Sequence, residues 1–151
     1  MRKALLWSFG ILILIQLLPF GHSHTNPPAT KEPNWDSPAT KELFSRACND
    51  CHSNQTYWRW YSYVAPVSWL IARDVNGGRR HLNVSQWDKP SRHADHIANE
   101  VKTGDMPPWF YLPLHPNAKL SDAEKQQFIA GAEKTFGPQS GPEDHDDHDD
   151  H

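Results

Sequence analysis

Cys48-Asn49-Asp50-Cys51-His52 sets two thiols and an imidazole within five positions. In a helical turn, side chains three and four apart share a face, so all three groups can reach one planar molecule. The C-x-x-C-H spacing is that of c-type haem attachment, in which the thiols add to two vinyl groups and the histidine becomes the proximal iron ligand. Both sulfurs and the ring are then expected to face one cavity. Two other chemistries compete for these residues. A zinc site wants a further Cys or His pair at ligand spacing, and the chain has no other cysteine. A dithiol redox centre wants a βαβ setting, and no segment shows strand alternation. Haem attachment needs nothing that the sequence lacks.

A low-spin haem needs a second strong-field ligand. The one methionine besides Met1 is Met106, 54 residues beyond His52 in Gly104-Asp105-Met106-Pro107-Pro108-Trp109. The prolines stiffen this loop, so a thioether can be presented from it at little entropic cost. The plainer reading is that Met106 fills the core. His81, His93, His96 and His115 are the substitutes for a distal ligand, His81 first. Trp58, Trp60, Trp69, Trp87 and Trp109 are expected to wall a haem crevice and complete the core. Arg59, Arg73, Arg79 and Arg80 read mainly as solvated surface, with one of them a candidate for a haem propionate.

The elements that must position these groups are helices. Ser37 is an N-cap with Pro38 at the first helical position, and Leu43, Phe44 and Ala47 form an apolar stripe leading into Cys48. A second helix is expected from Pro66 to about Val75, ended by Gly77-Gly78. Ser91 would cap a third running to Lys102, with Ala94, Ile97, Ala98 and Val101 inward and Gly104 as the stop. Ser121 and Glu124 form a capping box for a last helix through Phe128, Ile129 and Ala132 to about Phe136. The expected fold is all-α: a small cytochrome c-like helical domain with long loops over 37–137.

Attachment motif, helix, Gly-x-Met-Pro loop and closing helix resemble the plan of class I cytochromes c. More closely, Ala47-Cys48, Trp60-Tyr61-Ser62, Ala65-Pro66-Val67-Ser68-Trp69, His81-Leu82-Asn83 with Trp87, and Met106-Pro107-Pro108-Trp109 are similar to the bacterial haem-binding domain family of single-haem proteins. His24-Thr25-Asn26-Pro27-Pro28 resembles that family's segment after a membrane anchor. The resemblance runs from about Pro19 to Phe136. It implies one covalent haem c, held by Cys48 and Cys51 with His52 and Met106 on the iron.

The rest of the chain bears on location. Arg2 and Lys3 precede an apolar run from Ala4 to Phe20, as in an export signal or a single-span anchor occupying 1–20. Seventeen residues rise about 25 Å, at the short end for a bilayer core. Gly21 and Ser23 offer small residues for cleavage before His24. Residues 21–36 are polar and proline-rich, an extended linker. Pro28-Ala29-Thr30-Lys31-Glu32 recurs as Pro38-Ala39-Thr40-Lys41-Glu42, a single pair and no repeat architecture. Residues 138–151 form an acidic tail expected to be disordered, whose His145, His148 and His151 suit weak binding of transition metals.

The 151 residues include 13 prolines, with 37% apolar residues and a net charge of −3, and the mean hydropathy is −0.76. These values exclude a multispan membrane protein and a long coiled coil. Six of the 18 acids lie in 143–151, leaving 12 against 15 bases, or +3, for the remainder. So small an excess is no nucleic-acid footprint. No acid–base or nucleophile constellation accompanies the motif, so the expectation is not an enzyme. It is a one-electron carrier at the periplasmic side of the bacterial inner membrane, or soluble in the periplasm, serving redox partner proteins. The alternative is a haem-c sensor, ligand-binding or peroxidase-like module with an openable distal site.

Overall fold

The computed structural model describes residues 1–21, 23–89 and 94–137. The chain order is α1 (Arg2–Ile15), α2 (Pro38–Ala47), α3 (Asn49–His52), α4 (Val67–His81), α5 (Ile97–Thr103) and α6 (Asp122–Phe136), with short 3-10 turns before α4 and α5 and two before α6. Among the described residues the only β-type pairing is an isolated bridge from Lys31 to Gln86. The class is therefore all-α, as the periodicity requires. Ser91, His93 and the Asp/His-rich tail lie outside the described residues, and with them the expected cap, one substitute ligand and the metal-binding reading of the tail.

The core follows from the apolar faces. Leu43, Phe44 and Ala47 of α2, Ile97, Ala98 and Val101 of α5, and Phe128 and Ala132 of α6 converge with Leu82, Val84 and Leu120. Phe44 and Phe128 are 1% and 0% exposed with ring centroids 6.4 Å apart, so burial contributes about 1.5–3 kcal/mol from each ring. Trp35 and Trp87 close this cluster against Phe136 at 5.5 and 5.3 Å. Both sequence-read caps are formed. The Ser37 hydroxyl accepts the Thr40 amide, and Ser121 and Glu124 make the reciprocal capping box. Gly104, at φ 88°, ends α5 in the left-handed region, where a Cβ would be strained.

Arg46 ties α2 to α6, with Nη1 2.7 Å from Glu124 Oε1. That bond, with help from Ser121, holds the Glu124 carboxyl down at about 2, below its ordinary 4.5. A lowered carboxyl pKa stabilises the fold above 4.5, and the gain is lost as pH falls from 4.5 towards 2. The pair is about one-third exposed, so solvent screening keeps its contribution small. Glu124→Gln is expected to flatten the acid limb of an unfolding-midpoint-versus-pH curve in that window, by a small amount because solvent screens the pair. An identical curve would deny the pair any role.

Three expectations are corrected. The first concerns the N-terminal apolar run. Its helix stops at Ile15 after 14 residues, about 21 Å, and no helix among the described residues is long and apolar enough to cross a membrane. Pro19 cannot continue a helix, and Gln16 turns instead onto Ala65, accepting its N–H and donating to its carbonyl at 2.9 and 3.0 Å. The second concerns Gly77-Gly78, which do not end α4. The helix continues through both to His81 because Gly78 is packed against Cys51, a contact that only a glycine permits. The third is the start of α5, at Ile97, preceded by a 3-10 turn at Ala94–His96.

The linker residues are extended but laid along the domain. Thr30 N–H donates to Ser85 O and Trp87 N–H to Lys31 O, at 2.8 and 3.0 Å. Asn26 donates to Thr56 O, Asn54 to Pro28 O, and Arg79 to Thr25 O. These bonds satisfy the backbone of a segment with no helix or sheet of its own.

Candidate functional site

The C-x-x-C-H residues sit where α2 gives way to α3. Cys48 N–H still donates to Phe44 O at 2.8 Å, closing α2, while Cys48 O accepts from His52 N at 3.0 Å, opening α3. Ser53 Oγ donates back to Asn49 O at 2.7 Å, which fixes the exit of the short helix. Opposite it, α4 comes so close that a Cβ on Gly78 would lie 2.5 Å from Cys51 O. That approach brings the end of α4 over the imidazole. His52 Nδ1 lies 3.1 Å from Gly78 O and 3.2 Å from Leu82 O. A ring nitrogen facing two acceptors carries the proton, so the Nε2 lone pair is available as a ligand. Burial holds the His52 pKa below its ordinary value, against the pull of the two carbonyls, and the ring stays neutral.

Both cysteines are free thiols. Burial pushes each up to about 12, with the neighbouring thiol adding for Cys48 and Asp50 and Asp74 adding for Cys51. They are therefore protonated at neutral pH, unlike the thiolates of redox centres and zinc sites. Among the described residues no three His, Cys, Asp or Glu side chains converge as if to hold a metal ion.

The two sulfurs do not share the expected cavity. Cys51 lines a cavity of about 130 Å³ with Trp58, Arg59, Tyr61, Tyr111 and His115 among its walls, whereas Cys48 packs on the apolar cluster. The reason is local. Cys48 has φ −124° and ψ −24°, off the helical values, so its side chain leaves the face that an i, i+3 helical pair would share. Neither His52 nor Met106 lines that cavity. A wider groove of about 560 Å³, between Leu18, Phe20 and Trp69, touches none of the C-x-x-C-H residues and carries no comparable chemistry.

Met106 is brought back to the cluster that holds Cys48, partly buried, with its N–H donating to Glu100 O at 3.1 Å. Its loop and the C-x-x-C-H turn thus share one core. Of the substitute histidines, His81 ends α4 and its charge depresses His52. His96 lies in the turn before α5. His115 is held by Tyr61 Oη at 3.0 Å and Tyr111 O at 2.8 Å. The tryptophans divide: Trp58 lines the cavity and Trp87 the core, but Trp60 and Trp109 are 78% and 81% exposed. Both lie on short turns with their side chains turned outward.

Sequence reasoning missed a polar network around Asp50. Its Oδ1 accepts the Tyr57 amide and its Oδ2 the Tyr111 hydroxyl, both at 2.9 Å. Tyr111 stacks on His115 with ring centroids 3.6 Å apart and planes 8° from parallel. Burial first, then Asp50, pushes the Tyr111 hydroxyl well above its usual range. The i, i+4 spacing of Tyr111 and His115 was the available signal. Arg79, read as solvated surface, instead donates to Ser53 O, Thr25 O, Asn26 Oδ1 and Thr56 Oγ1 within 2.8–3.0 Å, binding the linker to the C-x-x-C-H turn.

A helical domain built round a C-x-x-C-H turn, with a neutral imidazole oriented by backbone carbonyls, defines a haem-binding class of protein. The sequence model of the haem-binding domain family matches residues 10–134, and the chain belongs to that family. No curated protein and no solved structure matches it.

Proposed function

We propose that the protein is a mono-haem c-type cytochrome that carries single electrons outside the cytoplasm. The observation that carries this reading is the His52 ring, whose Nδ1 faces Gly78 O and Leu82 O and whose Nε2 is free for iron, in the turn that bears both thiols. Cys48 and Cys51 are the thioether positions, His52 the proximal ligand and Met106 the distal one. When bound, the haem supplies reversible one-electron iron chemistry; the chain orients it and excludes water. The apolar cluster beneath Cys48 and Met106 favours the less charged ferrous state. Arg2 and Lys3 ahead of the apolar run support export, and with it a domain on the periplasmic side that has redox proteins as its partners.

A second reading, a ligand-binding or peroxidase-like module, is favoured by the cavity beside Cys51, where Tyr61, Tyr111 and His115 meet. Met106→Ala separates the two. In the carrier the variant keeps its haem, loses potential by a visible fraction of the ~0.8 V that axial ligands span, and binds carbon monoxide rapidly where the parent does not. Redox-titrated visible spectra with and without carbon monoxide record this. Rapid binding by the parent would favour the sensor, and an unchanged potential in Met106→Ala would show that another residue caps the iron.

A further inference from the structure

The loop that carries Met106 is pinned at both ends. At its start the Asp105 and Met106 amides donate to Glu100 O, at 3.0 and 3.1 Å, which seats the methionine on the end of α5. Five residues later Tyr111 donates its hydroxyl to Asp50 Oδ2 at 2.9 Å, and Asp50 stands between the two cysteines of the C-x-x-C-H turn. Five residues reach at most about 17 Å. The Tyr111 amide shortens the path by donating to Pro108 O at 3.0 Å, and Pro107 and Pro108 stiffen it.

Both partners of the phenol bond are themselves held. Asp50 Oδ1 accepts the Tyr57 amide at 2.9 Å. The Tyr111 ring stacks on His115 at 3.6 Å, and the Tyr111 carbonyl accepts from His115 Nδ1 at 2.8 Å. With the proton on Nδ1, His115 Nε2 accepts the Tyr61 hydroxyl at 3.0 Å, tying the ring to the turn Trp60–Tyr63. Burial first, then Asp50, raises the Tyr111 hydroxyl well above its usual range, so it keeps its proton and donates. His115 Nε2 lies 3.9 Å from the same Asp50 oxygen, beyond hydrogen-bond reach, and does not replace the hydroxyl.

We infer that Tyr111 is a positioning residue whose hydroxyl, on Asp50, holds the Met106 loop against the C-x-x-C-H turn, an inference that rests on Met106 as the distal ligand. Met106 and His52 must meet one iron from opposite sides. A loop fixed to the turn that carries His52 keeps the two ligands in register; a loop free at Tyr111 samples positions from which the sulfur does not reach.

The test compares the full-length parent with Tyr111→Phe, which keeps the ring and its stack on His115 and removes the hydroxyl alone. Asp50→Ala, the double variant and Tyr57→Phe complete the set; Tyr57 meets Asp50 through its backbone, so its hydroxyl is the control. Haem-matured proteins are read by the weak red-end absorption band of methionine-ligated ferric haem and by the rate of cyanide binding, which requires the sulfur to leave. Haem-free proteins are read by amide hydrogen exchange over 105–111. In Tyr111→Phe the band weakens, cyanide binds about three- to tenfold faster, the scale of one hydrogen bond, and exchange over the loop accelerates. Asp50→Ala behaves alike, and adding Tyr111→Phe to it changes nothing further. Tyr57→Phe matches the parent. Should Asp50→Ala fail to fold, Asp50→Asn keeps an acceptor oxygen and with it the parent's band. A parent lacking covalent haem or the red-end band would defeat the haem reading, and exchange in the haem-free chains then decides the tie. Parent-like band and cyanide rate in Tyr111→Phe would overturn the inference even if the unfolding midpoint fell, as would parent-like loop exchange in the haem-free chain.

Discussion

On the c-type reading proposed above, alanine at both Cys48 and Cys51 is expected to yield a chain that keeps no haem through denaturation and extraction, whereas the parent is expected to keep one. Both thiols are protonated near neutrality, the state in which S–H adds across a vinyl double bond, sulfur to one carbon and hydrogen to the other. Without them only ligation and packing hold the ring, and denaturation destroys both. The single variants differ in a way the fold dictates. Cys51→Ala widens a cavity that the side chain already lines, so its cost to the folded chain is expected to be the smaller of the two. Cys48→Ala removes a group packed on the core cluster and costs on the order of 1 kcal/mol. Intact mass after denaturation and a denaturant titration of each variant check these outcomes. Haem retained by the double variant would place the covalent bond elsewhere; a parent without retained haem would leave a haem-binding protein that is not of the c type.

Two adjacent glycines of α4 respond in opposite directions to the same substitution. Around Gly77 the nearest foreign atom to a built Cβ is Arg80 Nη2 at 4.0 Å, so Gly77→Ala fits and removes freedom from the unfolded chain. It stabilises the domain by about 0.5–1 kcal/mol. At Gly78 the Cβ would lie 2.5 Å from Cys51 O and 3.0 Å from Cys51 C, both backbone atoms. The helix must then lift from the attachment turn. Overpacking costs ~1–3 kcal/mol, and an obstacle made of backbone puts Gly78→Ala at the upper end. For a domain of this size that lowers the melting midpoint by on the order of 15 °C. The Gly78 carbonyl moves with its helix, so the His52 ring loses an acceptor and some of its orientation. Thermal unfolding of both variants checks the pair of signs. Equal midpoints would show that α4 is not seated on the turn as described.

Much of the fold was legible because it depends on neighbours along the chain. Ser37, Ser121 and Glu124 cap helices by bonds spanning three residues, and Phe44, Val101 and Phe128 fall on apolar stripes of helical period. The attachment motif belongs to the same class, since C-x-x-C-H is complete within five residues. What failed involved contacts between distant segments. Gly77-Gly78 reads locally as a helix end, yet α4 passes through both, because close packing on Cys51 outweighs the intrinsic preference of glycine against helix. The apolar run reads as a span, yet it turns at Gln16 to bond Ala65, 49 residues away. Even inside the motif the periodic rule failed at Cys48, where two helices meet and the dihedrals leave the helical region.

The sequence by itself determined the chemistry on offer: two thiols, an imidazole, one internal methionine and the helices that carry them. Tertiary structure alone decided which atoms are ready to act. It aimed the His52 Nδ1 at two carbonyls from α4 and its end, put Cys48 and Met106 on one cluster, and set the Tyr111 hydroxyl on Asp50. The reason is one of range. Motif and cap interactions close within a turn or two, whereas burial and the pairing of polar groups depend on segments that meet only when the chain has folded.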